Sequence, residues 1–183
     1  DFGRYDEETY PVLDQAKQRE CVHGYWASVS FTDAQIGKVL DALDAHGLTD
    51  DTAVVLWGDN GWHLGEHRLW AKCSSFEEST RVPLIFAAPG LTTGRRTDRL
   101  AELLDIYPTL CDLAGLETPA HVEGRSLTPV LADPRAAHKD AVYSRIFDAT
   151  TVRTERYRFT HYREATPEGD VIHLPNTGCC ELF

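Results

Sequence analysis

A short apolar run, Ala53 to Trp57, breaks off into Gly58-Asp59-Asn60-Gly61-Trp62-His63-Leu64-Gly65-Glu66-His67, and Trp70-Ala71-Lys72 follows closely. No other feature limits the fold as much. The run is continuous rather than alternating, the pattern of a parallel strand covered on both faces. Its abrupt change to glycines, amides and charges marks the strand end. Ligand sites in α/β proteins lie at the carboxyl ends of strands, so this polar, glycine-rich stretch is a site candidate on position alone.

The flanking sequence supports an α/β reading. From about Asp14 to Ala45, Val22, Tyr25, Trp26 and Val29, then Ile36, Val39, Leu40 and Leu43, recur at three-and-four spacing, which predicts one long helix with an apolar stripe. Gly47 is placed to stop it. Residues 58–81 make a polar connection longer than a turn, and Val82 to Ala87 reads as a second buried strand closed by Pro89-Gly90. Leu100 to Leu104 adds a short strand. Ile106 to Ala114 reads as a helix, with Pro108 in its first turn and Gly115 after its end. Ser126 to Leu131 predicts a turn or two of helix, broken at Asp133-Pro134. Ala141 to Ile146, Thr151 to Arg153 and Tyr157 to Tyr162 are rich in β-formers and predict a small antiparallel sheet.

Composition excludes more than it selects. At 183 residues the chain is long enough for a core, and its apolar and charged fractions are those of a folded protein. Eighteen basic residues against 29 acidic ones leave a net charge of −11, which disfavours nucleic acid and anionic membranes as non-specific partners. No apolar run reaches the roughly 18 to 20 residues that span a bilayer. None of the five cysteines, Cys21, Cys73, Cys111, Cys179 and Cys180, forms a C-x-x-C pair, so a thiolate zinc site is not expected. Cys21 and Cys111 read as small apolar residues on helices.

Asp59 and Asn60 set a carboxylate beside an amide carbonyl, oxygen ligands of the kind that hard divalent cations take. By themselves they also describe an ordinary Asx turn. Lys72 reads either as a solvated surface charge or as a point charge for an anionic oxygen. His63-Leu64-Gly65-Glu66-His67 matches the H-x-x-E-H pattern of inverted zinc peptidases, which needs both histidines on one helical face. Gly58, Gly61 and Gly65 argue against that helix, each costing about 1 kcal/mol inside one. No downstream helix offers an obvious third carboxylate ligand beyond Glu77 and Glu78, and histidines bonded within a structured loop are the plainer reading.

The segment Gly58 to His67, with Leu69-Trp70-Ala71-Lys72, Phe76-Glu77-Glu78 and Thr80-Arg81-Val82-Pro83-Leu84-Ile85-Phe86, resembles the second signature region of the type I sulfatases of the alkaline phosphatase superfamily. It is most similar to their iduronate-2-sulfatase branch. Ala27-Ser28-Val29-Ser30 with Asp33 and Gly37, Asp105-Ile106-Tyr107-Pro108-Thr109-Leu110 with Ala114-Gly115-Leu116, and Glu123-Gly124-Arg125-Ser126-Leu127 extend the likeness. So do Arg153 to Arg158 and Glu181-Leu182-Phe183, which brings it to nearly the whole chain.

The resemblance implies a fold and a chemistry. The fold would be α/β, the C-terminal part of an alkaline-phosphatase-like sulfatase sandwich, with residues 1–116 in the catalytic domain and 117–183 in a small antiparallel α+β subdomain. Asp59 and Asn60 would be metal ligands, for Ca2+ first and Mg2+ second. Lys72 would bind the substrate sulfate as a catalytic charge, and Trp62, His63 and His67 would stand near the pocket mouth as substrate contacts. The substrate would be a sulfated small molecule or glycan, met in a periplasmic, extracellular or lysosomal-like compartment. The family nucleophile is a formylglycine made from Cys in C-x-P-x-R, and no cysteine here has that context. It is therefore expected upstream of Asp1, in a missing N-terminal part of the same protein, and the fragment alone is expected to be inactive. A phosphate or phosphonate ester hydrolase of the same superfamily and a non-catalytic sulfatase-like binding module are the alternatives.

Overall fold

The structure, a computed structural model, describes residues 13–91, 94–147, 149–162, 164–165, 171–172 and 180–182. Cys179 and Phe183, singled out from the sequence, lie outside the described residues, as does the Asp1-Phe2-Gly3 opening. Two compact units divide the chain: Asp1–Thr49 with Trp62–Lys72, and Asp50–Gly61 with Cys73–Phe183.

The first unit is built on α1 (Gln15–Ala45), a helix of 31 residues. Asp14 caps its start, its carboxylate accepting from the Lys17 amide at 2.8 Å, which satisfies one of the orphan donors of the first turn. At the other end the chain leaves through His46, and Gly47 takes the left-handed conformation at φ +65°, as the sequence predicts. No residue of α1 is buried, and Trp26, Val29, Phe31 and Val39 are each more than half exposed. A two-residue hairpin, β2 (His63–Leu64) and β3 (Trp70–Ala71), completes the unit, with Tyr25 of α1 stacked on Trp62 at 6.3 Å between ring centroids.

In the second unit β1 (Val54–Trp57) pairs with β4 (Leu84–Ala87), but antiparallel, with Val54 opposite Ala87 and Trp57 opposite Leu84. The sequence predicted buried parallel strands. Parallel neighbours need a crossover, usually a full helix, and the only α-helix between these two is α2 (Glu77–Thr80), a single turn. Nor are the strands buried: Trp57 and Ile85 are about half exposed. The strand expected at Leu100 to Leu104 is a second difference. Leu100 makes one isolated bridge to Lys139, and Leu103–Asp105 is a 3-10 turn leading into α3 (Ile106–Leu113).

The buried apolar side chains of this unit include Phe76, Ile106, Cys111, Leu127, Val130 and Ala149. They come from α3, from α4 (Thr128–Ala132) with the residue before it, from the approach to α2, and from the C-terminal sheet. Thr109, fully buried, stays satisfied by donating to the Asp105 carbonyl at 2.6 Å and accepting from the Leu127 amide at 2.8 Å. The predicted C-terminal sheet is present: β5 (Ala141–Ile146), β6 (Ala149–Thr154) and β7 (Arg158–Tyr162) form a meander, with β10 (Cys180–Leu182) on the free edge of β7. A separate pair, β8 (Glu164–Ala165) and β9 (Val171–Ile172), lies between β7 and β10 in the sequence. Arg158 joins this sheet to the turn before α2, its guanidinium 4.9 Å above the Phe76 ring and donating to the Ser75 carbonyl at 2.8 Å.

Candidate functional site

The predicted site residues fall into both units. Asp59 and Asn60 belong to the second, and Trp62, His63, His67 and Lys72 to the first.

Asp59 and Asn60 sit two and three residues past the end of β1, Asp59 exposed and Asn60 half-buried. The turn that carries them is fixed from both sides. Gly58 donates its amide to the Pro83 carbonyl at 3.2 Å, and Gly61 donates to the Ser79 carbonyl at 2.8 Å. Gly61 is packed so closely on α2 that a Cβ there would stand 2.0 Å from the Glu78 carbonyl oxygen. Only glycine fits. Ser74 and Ser79, both buried, share a hydroxyl hydrogen bond of 3.0 Å that ties the start of α2 to its end. The site pair thus rests on a turn pinned to an anchored helix, although neither of its own side chains is deeply buried.

In the first unit the β2–β3 hairpin sets Ala71 opposite His63 and Trp70 opposite Leu64, so Lys72 is the next residue beyond a paired strand. It is exposed. His63 is fully buried, and its ring meets that of His67 edge-on at 6.1 Å. Between the strands Glu66 accepts the Leu64 amide at 2.6 Å, and this bond, with one from its own amide, holds the Glu66 carboxyl below its ordinary range. The hairpin loop is strained. Gly65 has φ +114°, but His67 and Arg68 in the loop, and Ala71 in β3, also lie in the left-handed region, at φ +55°, +61° and +69°. Such conformations cost side-chain-bearing residues about 1 to 3 kcal/mol each and cluster at functional sites.

The zinc-peptidase pattern does not survive this geometry. His63 is on a strand and His67 in a 3-10 turn, so the two do not share a helical face. Among the described residues no three His, Cys, Asp or Glu side chains gather where they could hold a metal. Glu77 instead pairs with Arg153 at 3.2 Å. The adjacent oxygen donors of Asp59 and Asn60 do fit a hard cation, but they supply only part of the six to eight oxygens that calcium takes. Glu66 as an anchor of the hairpin, and Ser79 and Glu78 as the seat of Gly61, were not legible in the sequence. Glycine beside the Asp59-Asn60 pair was the one available signal.

Comparison with known proteins bears on the whole of this segment. A sulfatase family model matches residues 2–116, which include every residue of the candidate site, and a model of the N-sulphoglucosamine sulphohydrolase C-terminal region matches residues 65–177. The chain belongs to the sulfatase family. A sulfatase of Formosa agariphila is 35% identical over 159 residues, which cover 86% of this chain and 31% of that protein. Iduronate 2-sulfatase of Mus musculus is 38% identical over 135 residues, covering 60% of this chain and 24% of that one. Among solved structures, a 2-O glycosaminoglycan sulfatase superposes with a TM-score of 0.74 at 31% identity, over 94% of this chain and 37% of its own. This sulfatase chain therefore has the alkaline-phosphatase-like α/β fold of its relatives, and it spans about a quarter to a third of the length of the curated relatives described.

Proposed function

We propose that the protein carrying this chain hydrolyses sulfate esters of glycans, and that the chain contributes Asp59 and Asn60 as metal ligands and Lys72 as the sulfate-binding cation. The observation that carries the reading is the sulfatase match over residues 2–116, whose bounds include all three. A 2-O glycosaminoglycan sulfatase and an iduronate 2-sulfatase among the relatives support a sulfated sugar as the substrate class.

Lys72 works as a point charge. Placed just past β3, its ammonium holds an oxygen of the sulfate and neutralises the charge that grows there during attack at sulfur. Trp62 and His67 are exposed at the two ends of the same hairpin and serve as substrate contacts. His63, buried behind His67, supports it and reaches substrate only through it. A calcium ion, or magnesium in its place, would polarise the sulfate and the attacking group when held by Asp59 and Asn60. The formylglycine nucleophile would come from sequence outside this chain, since no cysteine here lies in C-x-P-x-R.

The experiment is a substrate panel on the intact protein: sulfated monosaccharides and disaccharides, an aryl sulfate, and phosphate and phosphonate esters. Sulfate release is expected, with Lys72→Ala lowering kcat/KM by about 10²- to 10³-fold while the circular dichroism spectrum stays unchanged. Turnover of phosphorus esters without sulfate release would replace this reading with the phosphohydrolase one. Turnover of nothing in the panel would favour the binding module.

A further inference from the structure

Two arginines stand directly opposite one another in the C-terminal sheet, Arg153 on β6 and Arg158 on β7. Like charges at opposed positions destabilise a sheet, so the pairing calls for a reason. Both side chains leave the sheet for the same short stretch of chain. Arg153 donates from Nε to the Glu77 carboxylate at 3.2 Å, its guanidinium steadied by a second bond to the Thr154 carbonyl at 2.8 Å. Arg158 donates to the Ser75 carbonyl at 2.8 Å and lies 4.9 Å above the Phe76 ring. Ser75 and Phe76 lead into α2, and Glu77 is its first residue.

α2 has little to hold it in place by itself. It has four residues, its N-cap Phe76 offers no side-chain hydrogen bond, and helices shorter than about 12 residues are marginal on their own in water. The turn of Asp59 and Asn60 nevertheless leans on it. The Gly61 amide donates to the Ser79 carbonyl at 2.8 Å, and the Glu78 carbonyl leaves no room for a Cβ at Gly61. A small tilt of α2 is therefore passed to Gly61 and to Asn60 before it. The Arg153 and Glu77 side chains are each about a third exposed, and ion pairs of that kind add little to overall stability. What this one supplies is direction, because a planar guanidinium restricts the angle at which a carboxylate meets it.

We propose that Arg153 and Arg158 are positioning residues for Asp59 and Asn60, acting through α2, so that the C-terminal sheet sets the geometry of the proposed cation site. The role of the two ligands rests on the sulfatase reading above, whereas the contacts that lead from sheet to turn stand without it.

The test uses the intact protein, titrated calorimetrically with calcium chloride, and follows hydrogen exchange in the segment 58–64 with α3 as the reference. Arg153→Gln is expected to weaken calcium binding about three- to tenfold, the range for changes along a coupled network, and to speed exchange in 58–64 by a similar factor. Exchange in α3 should keep its wild-type rate. Arg158→Gln should act in the same way, and Arg153→Lys should recover part of the loss. Glu77→Gln should match Arg153→Gln, and the double variant should be no weaker than either alone, because the two act as a unit. Arg156→Gln, which alters an exposed arginine 5.2 Å above the Tyr157 ring, should change neither measurement. Wild-type calcium affinity and wild-type exchange in Arg153→Gln overturn the proposal. So do equal acceleration in α3, which would mean general loosening, and additive losses in the double variant. Absence of calcium binding by the wild type would remove the metal reading, but exchange still decides the positioning: acceleration confined to 58–64 supports it, and unchanged rates overturn it.

Discussion

At Gly61 the requirement is steric rather than conformational. A Cβ would meet the Glu78 carbonyl oxygen at 2.0 Å and the Arg81 carbonyl oxygen at 3.1 Å, both backbone atoms that cannot rotate aside. Gly61→Ala should therefore cost roughly 1 to 3 kcal/mol, the range for overpacking, measured as a lower midpoint in urea. Because Asn60 is the preceding residue, the same change should also lower metal occupancy. Arg68 is the opposite case. Its φ of +61° costs an L-residue roughly 1 to 2 kcal/mol, whereas glycine would take that angle freely at an entropic loss of about 0.5 to 1. Arg68→Gly should accordingly stabilise the protein by about 0.5 to 1 kcal/mol, read by thermal melting. A loss instead would mean that the Arg68 side chain contributes more than its backbone strain costs. Neither effect is written in residue type alone. The motif made Asp59, Asn60 and Lys72 visible because each brings its own chemistry, while Gly61 and Arg68 acquire meaning only from the backbone that surrounds them.

Between elements, the principal clasp of the second unit is Asp105, fully buried at the entry to α3. Its carboxylate accepts from the amides of Glu102 at 2.9 Å and Arg125 at 2.8 Å and from Lys139 Nζ at 2.6 Å, and His138 Nε2 lies 3.3 Å away. Lys139 also donates to Glu102, whose other oxygen accepts the Tyr143 amide of β5 at 2.8 Å. One carboxylate thus joins α3 to the loop before α4 and to the approach to β5. Burial pushes the Asp105 carboxyl up, but the hydrogen bonds from Lys139, Arg125, Glu102 and His138 outweigh it and hold the group below the ordinary carboxylate range. For Lys139 burial pushes down, and the bonds to Asp105 and Glu102 outweigh that and raise it. A depressed acid stabilises the fold above its unfolded value, near 3.9, and that stability is lost as the pH falls further. A raised lysine contributes fully below about 10.4 and loses its contribution only in stronger alkali. Asp105→Asn should remove about 3 to 5 kcal/mol at neutral pH, since it takes away one of the two carboxylates that Lys139 donates to and sets an amide NH2 against groups that themselves donate, and should flatten the fall in stability below about pH 4 in denaturant titrations. An undiminished acid slope in the variant would assign that slope to other carboxylates. The long helix and the C-terminal meander were legible because apolar spacing, a glycine stop and runs of β-formers are local signals, as Val22 to Leu43, Gly47 and Ala141 to Ile146 show. Antiparallel pairing of β1 with β4 was not, because strand direction depends on the path of residues 58–83, and the Asp105 clasp was hidden because its partners are distant in sequence.

For the whole molecule, the proposed cation site at Asp59 and Asn60 would link stability to ligand binding. Any cation that binds the folded protein and not the unfolded chain raises stability by mass action, by about 2.7 kcal/mol when its free concentration is a hundred times its Kd. For a protein of several hundred residues, each kcal/mol shifts the melting temperature by about 2 °C or somewhat less, so saturating calcium should raise Tm by several degrees and EDTA should reverse the rise. Magnesium should do the same less strongly, because it holds its waters and demands a tighter octahedron than a flexible turn provides. Asp59→Ala removes the charged member of the two proposed ligands. Its side chain is exposed and packs in no core, so the apo protein should melt at nearly the wild-type temperature. The calcium-dependent rise, in contrast, should vanish. Asn60→Ala, which removes the neutral proposed ligand, should leave a smaller rise at higher calcium. This separates a metal site from an ordinary Asx turn at the same two residues: a turn would lower the apo melting temperature in both variants and leave the calcium response of the protein intact.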